Sequence, residues 1–218
     1  MSTRSIGLSP QVNDYVLAHT TSPDEVQVDL IERTAELGRA AGMQISPDQG
    51  ELLTMLTELV DPDLVVEVGT FTGYSSLAIA HGLSEGSRLI CCDVSDEWTS
   101  IARQAWEASG LADRIELRLG PGLDTLRGLP ADEVIDLAFV DAEKSEYIGY
   151  YEELLARLSP RGVIAVDNTL WGGSVADPAN TETSTEAIRS FNAHVAHDDR
   201  TRQVMVPIGD GLTLIRRA

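Results

Sequence analysis

The chain has 218 residues, enough for one domain to bury a sizeable hydrophobic core without disulfides or structural metals. It carries 35 acidic and 16 basic residues, so its formal net charge is −19. Nucleic acids and anionic membranes bind basic surfaces, and we therefore expect neither as a partner.

Cysteine usage and hydropathy indicate a cytoplasmic protein. Cys91 and Cys92 are adjacent and form neither a disulfide framework nor a metal-binding motif, which is typical of a reducing compartment. The opening MSTRSIGLSP lacks the apolar core of a signal peptide. No apolar run approaches the ~20 residues that span a bilayer. We therefore predict a cytoplasmic location and no membrane association.

Residues 1–60 are predicted to form three helices ahead of the main fold. Each predicted start pairs a serine, which can cap free backbone amides, with a proline, which suits the first helical position. These starts are Ser9-Pro10, Ser22-Pro23 and Ser46-Pro47. Glu25 and Gln49 complete the capping-box spacing of the second and third starts. We expect Gly42 to end the second helix and Asp61-Pro62 to end the third.

From residue 61 onward, apolar strand-like runs alternate with helical segments. The predicted strands are 64–68, 88–93, 114–119, 134–140, 162–167, 202–208 and 212–217, and the predicted helices are 73–82, 96–109, 121–128, 145–158 and 182–197. Apolar strands separated by helices indicate a parallel sheet covered on both faces. Gly209-Asp210-Gly211 predicts a closing antiparallel hairpin. We therefore predict an α/β fold with a doubly wound, Rossmann-like sheet in a single domain, 1–218, and a loop at 177–185.

Two of the predicted strands are followed by oxygen-bearing side chains. Asp141 follows the run 137–140, and Asp167 and Asn168 follow the run 163–166. The carboxyl ends of parallel strands meet at one edge of a sheet, so these side chains should surround one point. Two carboxylates and an amide oxygen suit magnesium, calcium or manganese better than zinc or copper. Lys144, one turn beyond Asp141, is close enough to act as a base beside such a metal.

The turn after the first predicted strand indicates a cofactor site. The segment 64–76 has the spacing E-x-G-x-x-x-G from Glu67 to Gly73, and Phe71 stands where a dinucleotide-binding turn needs glycine. That difference argues against NAD or FAD and permits a cofactor without a pyrophosphate. Asp93 ends the second predicted strand, where a carboxylate can bind ribose hydroxyls.

Several motifs together resemble one family. They are SPDQGELLTML (46–56), EVGTFTGYSSLAIA (67–80), RLGPGLDTL (118–126), FVDAEKSEYIGYY (139–151), VDNTLWGGSV (166–175) and VPIGDGLTLIRR (206–217). With them the chain resembles the cation-dependent, class I S-adenosylmethionine O-methyltransferases. These include catechol O-methyltransferase and, more closely, the caffeoyl-CoA O-methyltransferases with their bacterial relatives. The resemblance covers nearly the whole chain, and VDNTLWGG and PIGDGLTL are its most specific motifs.

The resemblance implies a role for each matching position and a homodimeric assembly. It makes 61–218 the S-adenosylmethionine-binding core. The cofactor-binding positions are Ile45, Glu67, Gly69, Thr70, Ser75, Asp93, Gly122, Asp141 and Glu143. The metal ligands are Asp141, Asp167 and Asn168, which are the residues indicated by the strand ends. Magnesium is the expected cation, with manganese or calcium as alternatives.

The resemblance also implies an acceptor site. Lys144 matches the base, acting beside Asp141, and Tyr147, Trp171 and Gly172 match positions around the acceptor. A phenol has a pKa of about 10, and a divalent cation bound to both oxygens of a vicinal diol favours the phenolate and orients it. The expected acceptor is therefore a catechol-like small molecule. Gly172 stands where plant relatives place asparagine, which favours a pocket tolerant of size.

Three other functions are less compatible with the sequence. Some bacterial relatives methylate a hydroxyl on a modified tRNA uridine, but the net charge of −19 disfavours a tRNA partner. An NAD-dependent oxidoreductase is disfavoured by Phe71 and by the carboxylate cluster. A cofactor-binding protein without catalysis is disfavoured by Lys144 beside that cluster.

The remaining histidines and tryptophans suggest no additional site. His194 and His197 are predicted to lie on the surface of the last helix without carboxylate partners. Trp98 and Trp106 are eight residues apart on one predicted helix, which favours a core or dimer contact over contact with a ligand.

Overall fold

The computed structural model describes residues 7–218, so most of the segment examined for a signal peptide lies outside the described residues. The strands are β1 (Leu64–Val68), β2 (Arg88–Asp93), β3 (Ile115–Leu119), β4 (Ile135–Val140), β5 (Leu158–Val166), β6 (Thr201–Val206) and β7 (Leu212–Arg217). They form one sheet in the order β3-β2-β1-β4-β5-β7-β6. Strands β1 to β5 pair in parallel, whereas β7 is antiparallel to β5 and β6 is antiparallel to β7. The predicted α/β sheet with an antiparallel end is confirmed.

The helices are α1 (Pro10–Ala18), α2 (Glu25–Ala35), α3 (Pro47–Val60), α4 (Tyr74–His81), α5 (Asp96–Ala108), α6 (Gly122–Arg127), α7 (Tyr147–Arg157) and α8 (Thr183–Ala196). Within residues 7–218, four short 3-10 helices lie between them, at Gly38–Met43, Ala112–Arg114, Lys144–Glu146 and Trp171–Ala176. No helix of the described residues has the length and apolar character needed to cross a bilayer.

The sheet separates two hydrophobic cores. One face packs against α6, α7 and α8 through side chains such as Leu126, Tyr151 and Phe191. The other face packs against α2 to α5, represented by Leu30 and Trp106. Cys91 belongs to the second core and Cys92 to the first, because neighbouring strand residues point to opposite faces. Both thiols are free and buried.

Several boundaries differ from the sequence predictions, and three of them have a clear physical reason. Helix α2 begins at Glu25 and not after Ser22, because Asp24 and Gln27 form the capping box. It ends at Ala35, and Gly42 lies inside the following 3-10 helix. Strand β5 begins at Leu158, four residues before the predicted start, because it pairs with β4 again across an irregular register.

The segment predicted as a loop at 177–185 is partly helical. Thr183–Thr185 form the first turn of α8. The rest is fixed by Arg189, which donates hydrogen bonds to the carbonyl oxygens of Ser174, Val175, Asp177 and Asn180. One guanidinium thus holds the segment from Ser174 to Asn180 in place.

Candidate active site

A cavity of about 970 Å³ opens beyond the carboxyl ends of the central strands. It lies where the strand order reverses on either side of β1, which is the usual ligand position in such sheets. Its wall is built from the loops after β1, β2, β4 and β5, from the segment before α3 and from the turn between β6 and β7.

The turn after β1 is pressed against the end of β4. Gly69 has a φ of 94°, and a Cβ atom there would lie 1.9 Å from the carbonyl oxygen of Asp141. Only glycine fits this close approach. Gly69 therefore allows the loop 69–73 and the end of β4 to share one wall of the cavity.

Asp93 organises the same loop. Its Oδ2 atom accepts hydrogen bonds from the backbone N–H groups of Thr70, at 2.9 Å, and Phe71, at 2.8 Å. Its Oδ1 atom accepts one from Ser95 N at 2.8 Å. Asp93 and Thr70 both line the cavity. The carboxylate predicted to bind ribose therefore also shapes the backbone beside it.

Glu67 lies behind the cavity wall. It is completely buried, it is not among the lining residues, and its carboxylate accepts a 2.7 Å hydrogen bond from Ser75, which does line the cavity. Burial raises the pKa of Glu67 to about 7, although the hydrogen bond from Ser75 opposes the shift. The structure thus places Ser75, and not Glu67, against the space available to a ligand.

The other predicted cofactor positions, Ile45, Gly122, Asp141 and Glu143, all line the cavity. A Cβ atom at Gly122 would lie 2.7 Å from Val68 Cγ1 and 3.0 Å from Tyr150 Cε1. Glycine therefore suits this wall better than a larger residue. Glu143 caps the 3-10 helix that carries Lys144 by accepting a hydrogen bond from Ser145.

Two of the predicted metal ligands, Asp141 and Asn168, contact Lys144, and the third, Asp167, is hydrogen-bonded to Asn168. Lys144 Nζ donates hydrogen bonds to Asp141 Oδ1, at 2.8 Å, and to Asn168 Oδ1, at 2.6 Å. Asp167 is 2% exposed, and its pKa is raised by burial and by the charge of Asp141. Asn168 takes the left-handed conformation, with a φ of 57°, and its backbone N–H donates to Asp167 Oδ1. Buried carboxylates held together in this way need positive charge.

The donor set fits a hard divalent cation. Asp141, Asp167 and Asn168 supply only oxygen atoms, and all three line the same cavity. Asp141 and Asn168 already share a cation, the Lys144 ammonium, so their oxygens converge on one point.

The predicted acceptor residues divide into two groups. Trp171 lines the cavity, and Lys144 Nζ lies 5.7 Å from the centre of its ring. Tyr147 is 1% exposed and does not line the cavity, but its hydroxyl lies 2.7 Å from Lys144 Nζ and donates to the backbone oxygen of Asp167. Gly172 is exposed and outside the lining, so it does not shape the pocket directly.

The loop after Asn168 is held by the turn between β6 and β7. Thr169 N and Leu170 N donate to the backbone oxygens of Gly211 and Asp210. The Asp210 carboxylate accepts a 2.5 Å hydrogen bond from Gly172 N. Two distant sequence motifs, VDNTLWGG and PIGDGLTL, therefore form one unit at the cavity.

Comparison with known proteins shows which family the chain belongs to. A family model described as O-methyltransferase matches residues 18–218. The chain belongs to the O-methyltransferase family. The resemblance to class I, caffeoyl-CoA-type O-methyltransferases is thereby confirmed, and the oxidoreductase alternative is wrong.

Relatives of this O-methyltransferase cover most of its length. Probable caffeoyl-CoA O-methyltransferase 1 of Dictyostelium discoideum is 34% identical over 208 residues, which span 94% of this chain and 90% of the relative. Caffeoyl-CoA O-methyltransferase 2 of Zea mays is 37% identical over 226 residues, spanning 98% and 85%. The O-methyltransferase from Bacillus cereus, solved in complex with SAH, is 29% identical with a TM-score of 0.87, covering 95% of this chain and 97% of that chain.

Several lining residues of the O-methyltransferase were not predicted as site residues. Gln49, Phe71, Trp98 and Asp210 are among them. Trp106 is a core residue, but Trp98 faces the cavity and packs edge-on against Phe71 with ring centres 5.1 Å apart. The expectation of a core contact is therefore wrong for Trp98, and a dimer contact stays a prediction. Its position in the first turn of α5, five residues after Asp93, is the available signal.

A second cluster of polar side chains lies outside the cavity. Ligand atoms of Glu152, His194 and Asp198 lie within 4.8 Å of one another. Both carboxylates accept hydrogen bonds from Arg200, which holds the pKa of Asp198 well below its usual range. His194 Nε2 lies 2.8 Å from Glu152 Oε1, so the expectation that it has no carboxylate partner is wrong. These contacts join α7, α8 and the start of β6.

Proposed function

We propose that this enzyme transfers the methyl group of S-adenosylmethionine to one hydroxyl of a catechol-like small molecule, with the help of a divalent cation. The observation that carries the proposal is that Asp141, Asp167 and Asn168 line one cavity wall, with Lys144 bound to Asp141 and Asn168. A methyl-transfer cavity with an oxygen-donor site and an adjacent amine suits an acceptor that must lose a proton.

The cofactor assignment rests on the loop after β1 and on Asp93. The B. cereus relative was solved with SAH, the product that remains when S-adenosylmethionine has lost its methyl group. Bound S-adenosylmethionine supplies a methyl group on a positively charged sulfur. Thr70, Ser75 and Asp93 would bind its polar parts, and Ile45, Gly122 and Trp98 would pack against the rest.

Asp141, Asp167 and Asn168 would hold the cation, magnesium in preference to manganese or calcium. When bound, this cation would favour the phenolate form of a vicinal diol and fix its orientation.

Lys144 is placed to receive the acceptor proton. Its nitrogen makes three short contacts, to Asp141, Asn168 and Tyr147, so a protonated Lys144 uses all three N–H groups. A divalent cation held by Asp141, Asp167 and Asn168 would take two of these acceptors from Lys144, which would favour the neutral amine that a base requires. The Tyr147 hydroxyl, anchored on the backbone of Asp167, would keep the nitrogen in place.

The acceptor class is supported by the family and by charge. Close relatives include caffeoyl-CoA O-methyltransferases, whose names specify an acyl-CoA acceptor. A tRNA acceptor is disfavoured by the net charge of −19. A homodimer and a cytoplasmic location stay predictions.

The proposal is tested with methyl-labelled S-adenosylmethionine and a panel of catechols, hydroxycinnamates and flavonoids, each assayed with and without EDTA. We expect label in at least one vicinal diol, loss of transfer in EDTA, and recovery with magnesium. Full transfer by thoroughly metal-stripped enzyme would contradict the metal requirement, and no transfer to any diol would contradict the acceptor class.

A further inference from the structure

The first turn of α3 carries a polar side chain that the helix itself does not use. Gln49 is 1% exposed and lines the cavity. The sequence predicts a capping box between Ser46 and Gln49, but the Ser46 side chain makes no capping hydrogen bond, so that box does not form. The amide of Gln49 is therefore available for another role.

The Gln49 amide is held at its oxygen and unsatisfied at its nitrogen. Its Oε1 atom lies against the turn between β6 and β7, where a Cβ atom on Gly209 would overlap it. Its Nε2 atom is buried and has no hydrogen-bond partner among residues 7–218. Folded proteins rarely leave a buried donor unsatisfied, so Nε2 indicates a function beyond packing.

Asp167 is the neighbouring group on which this amide acts. Helix α3 contacts β5, the strand that Asp167 follows. Burial and the charge of Asp141 raise the pKa of Asp167, and the Gln49 side chain is among the groups that lower it. Among the described residues, the Asp167 side chain accepts one hydrogen bond of standard length, from Asn168 N to Oδ1. Gln49 thus lies near the carboxylate without completing a second hydrogen bond to it.

A carboxylate that binds a metal ion needs a fixed orientation. Hydrogen-bond partners outside the ligand set usually provide it, and their loss commonly weakens metal binding about 10–100-fold. An amide suits this task beside Asp167, because its N–H2 group donates to a carboxylate and carries no charge that would compete with the cation.

We propose that Gln49 is a positioning residue for the cation site, whose amide donates to the Asp167 carboxylate and holds it in the orientation that binds a divalent cation. The turn at Gly209 supports the amide through its oxygen. This inference rests on the proposed function. It adds a residue of α3 to a site otherwise built at the ends of β4 and β5.

The test titrates the metal-free enzyme with manganese alone in a calorimeter, without S-adenosylmethionine or acceptor. Gln49→Met keeps the length of the side chain and removes both polar atoms. We expect its dissociation constant for manganese to rise at least about tenfold. Its unfolding free energy without metal should equal or exceed that of the wild type, because the wild-type Nε2 has no partner to lose. Gln44→Met changes the same residue type on the same wall and should leave the manganese affinity unchanged.

A second variant acts on Gln49 from the turn. Gly209→Ala places a Cβ atom against Gln49 Oε1 and must displace the amide. It should weaken manganese binding as well, and the double variant should bind no more weakly than Gln49→Met, because both changes act through one side chain.

Three outcomes would contradict the account. Equal manganese affinity in the wild type and Gln49→Met would overturn the positioning role and leave the proposed function standing. Weaker binding together with a lower unfolding free energy in the metal-free variant would make Gln49 a structural residue. An absence of manganese binding by the wild type would overturn the proposed metal site itself.

Discussion

Lys144 Nζ lies 2.6 Å from Asn168 Oδ1, the side-chain oxygen of a residue 24 positions further along the chain. Asn168 takes a left-handed backbone conformation to present that oxygen, and Asp141 presents a second oxygen to the same nitrogen. An ammonium group and a divalent cation would therefore compete for the same two oxygens. This competition gives Lys144 two separable effects.

The first prediction concerns Lys144→Met. Removing the ammonium group removes a competitor, so the affinity for magnesium or manganese should rise, while kcat should fall much more than KM rises because the base is lost. Calorimetric titration with the metal alone measures the first effect and steady-state kinetics measures the second. Arg103→Met, which removes an exposed cation paired with Asp96, is the matched control and should change neither. Unchanged metal affinity in Lys144→Met would contradict a shared oxygen site.

The second prediction concerns Asp93→Asn. The side chain keeps its shape, but it loses the charge that accepts from Thr70 N and Phe71 N and that should bind ribose hydroxyls. We expect the dissociation constant for S-adenosylmethionine to rise about tenfold or more, since hydrogen bonds to charged groups contribute about 1.5–3 kcal/mol. S-adenosylmethionine should raise the melting temperature of the wild type, and NADH should not. Asp96→Asn, three residues away on the exposed face, should bind like the wild type.

The third prediction is a pH dependence of stability that Glu67 causes. Its pKa is about 7 in the folded protein because it is completely buried, against an ordinary value of 4.5. Between these values the folded protein keeps a proton that the unfolded chain has released, so the unfolding free energy falls as the pH rises, and above about 7 the slope disappears. Glu67→Gln cannot titrate. Its stability relative to the wild type should therefore increase between about pH 5 and about pH 8, by up to about 3 kcal/mol.

Urea unfolding of both proteins at the two pH values measures this difference, because all other titrating groups cancel between them. A constant difference at both pH values would mean that Glu67 is already ionised in the folded protein at about pH 5.

The fourth prediction concerns Arg189→Met. Four backbone oxygens between Ser174 and Asn180 lose their donor, so the unfolding free energy should fall by about 2–3 kcal/mol. Because the same loop runs between Trp171 and Ser184 on the cavity wall, KM for the acceptor should rise several-fold with a smaller change in kcat. Arg189→Lys should restore only part of both losses, since lysine has three donors. An acceptor KM equal to that of the wild type would show that the loop does not shape the acceptor site.

The order of strands and helices along the chain follows from local sequence patterns, so the sequence alone predicts it. Strands β1, β2 and β7 were predicted at the observed residues, because each is an uninterrupted β-prone run bounded by turn residues. The start of α2 was misplaced because two neighbouring capping signals compete, and the structure uses Asp24 with Gln27. The early start of β5 depends on pairing with β4, which local sequence does not encode.

The sequence predicts the site residues whose positions are determined by strand ends. It predicts less well which side chains line the cavity and which are buried behind it. Asp141, Asp167 and Asn168 follow from the topology of a parallel sheet. Glu67 and Tyr147 belong to family motifs, but the sequence does not reveal that both side chains are buried behind the residues that line the cavity. Asp210 reaches the cavity only because β7 pairs antiparallel with β5, which brings its turn to the loop after Asn168.

We propose that the Asp141–Asp167–Asn168 site orients a vicinal diol for methyl transfer. The most direct measurement compares 4-methylcatechol with 4-methylphenol on the magnesium-loaded enzyme, because the two acceptors differ by one hydroxyl and share the same neutral side chain. We predict a kcat/KM ratio of at least about a hundredfold in favour of the catechol, equivalent to about 2.7 kcal/mol of transition-state stabilisation. Equal values for the two acceptors would contradict orientation of a diol at this site.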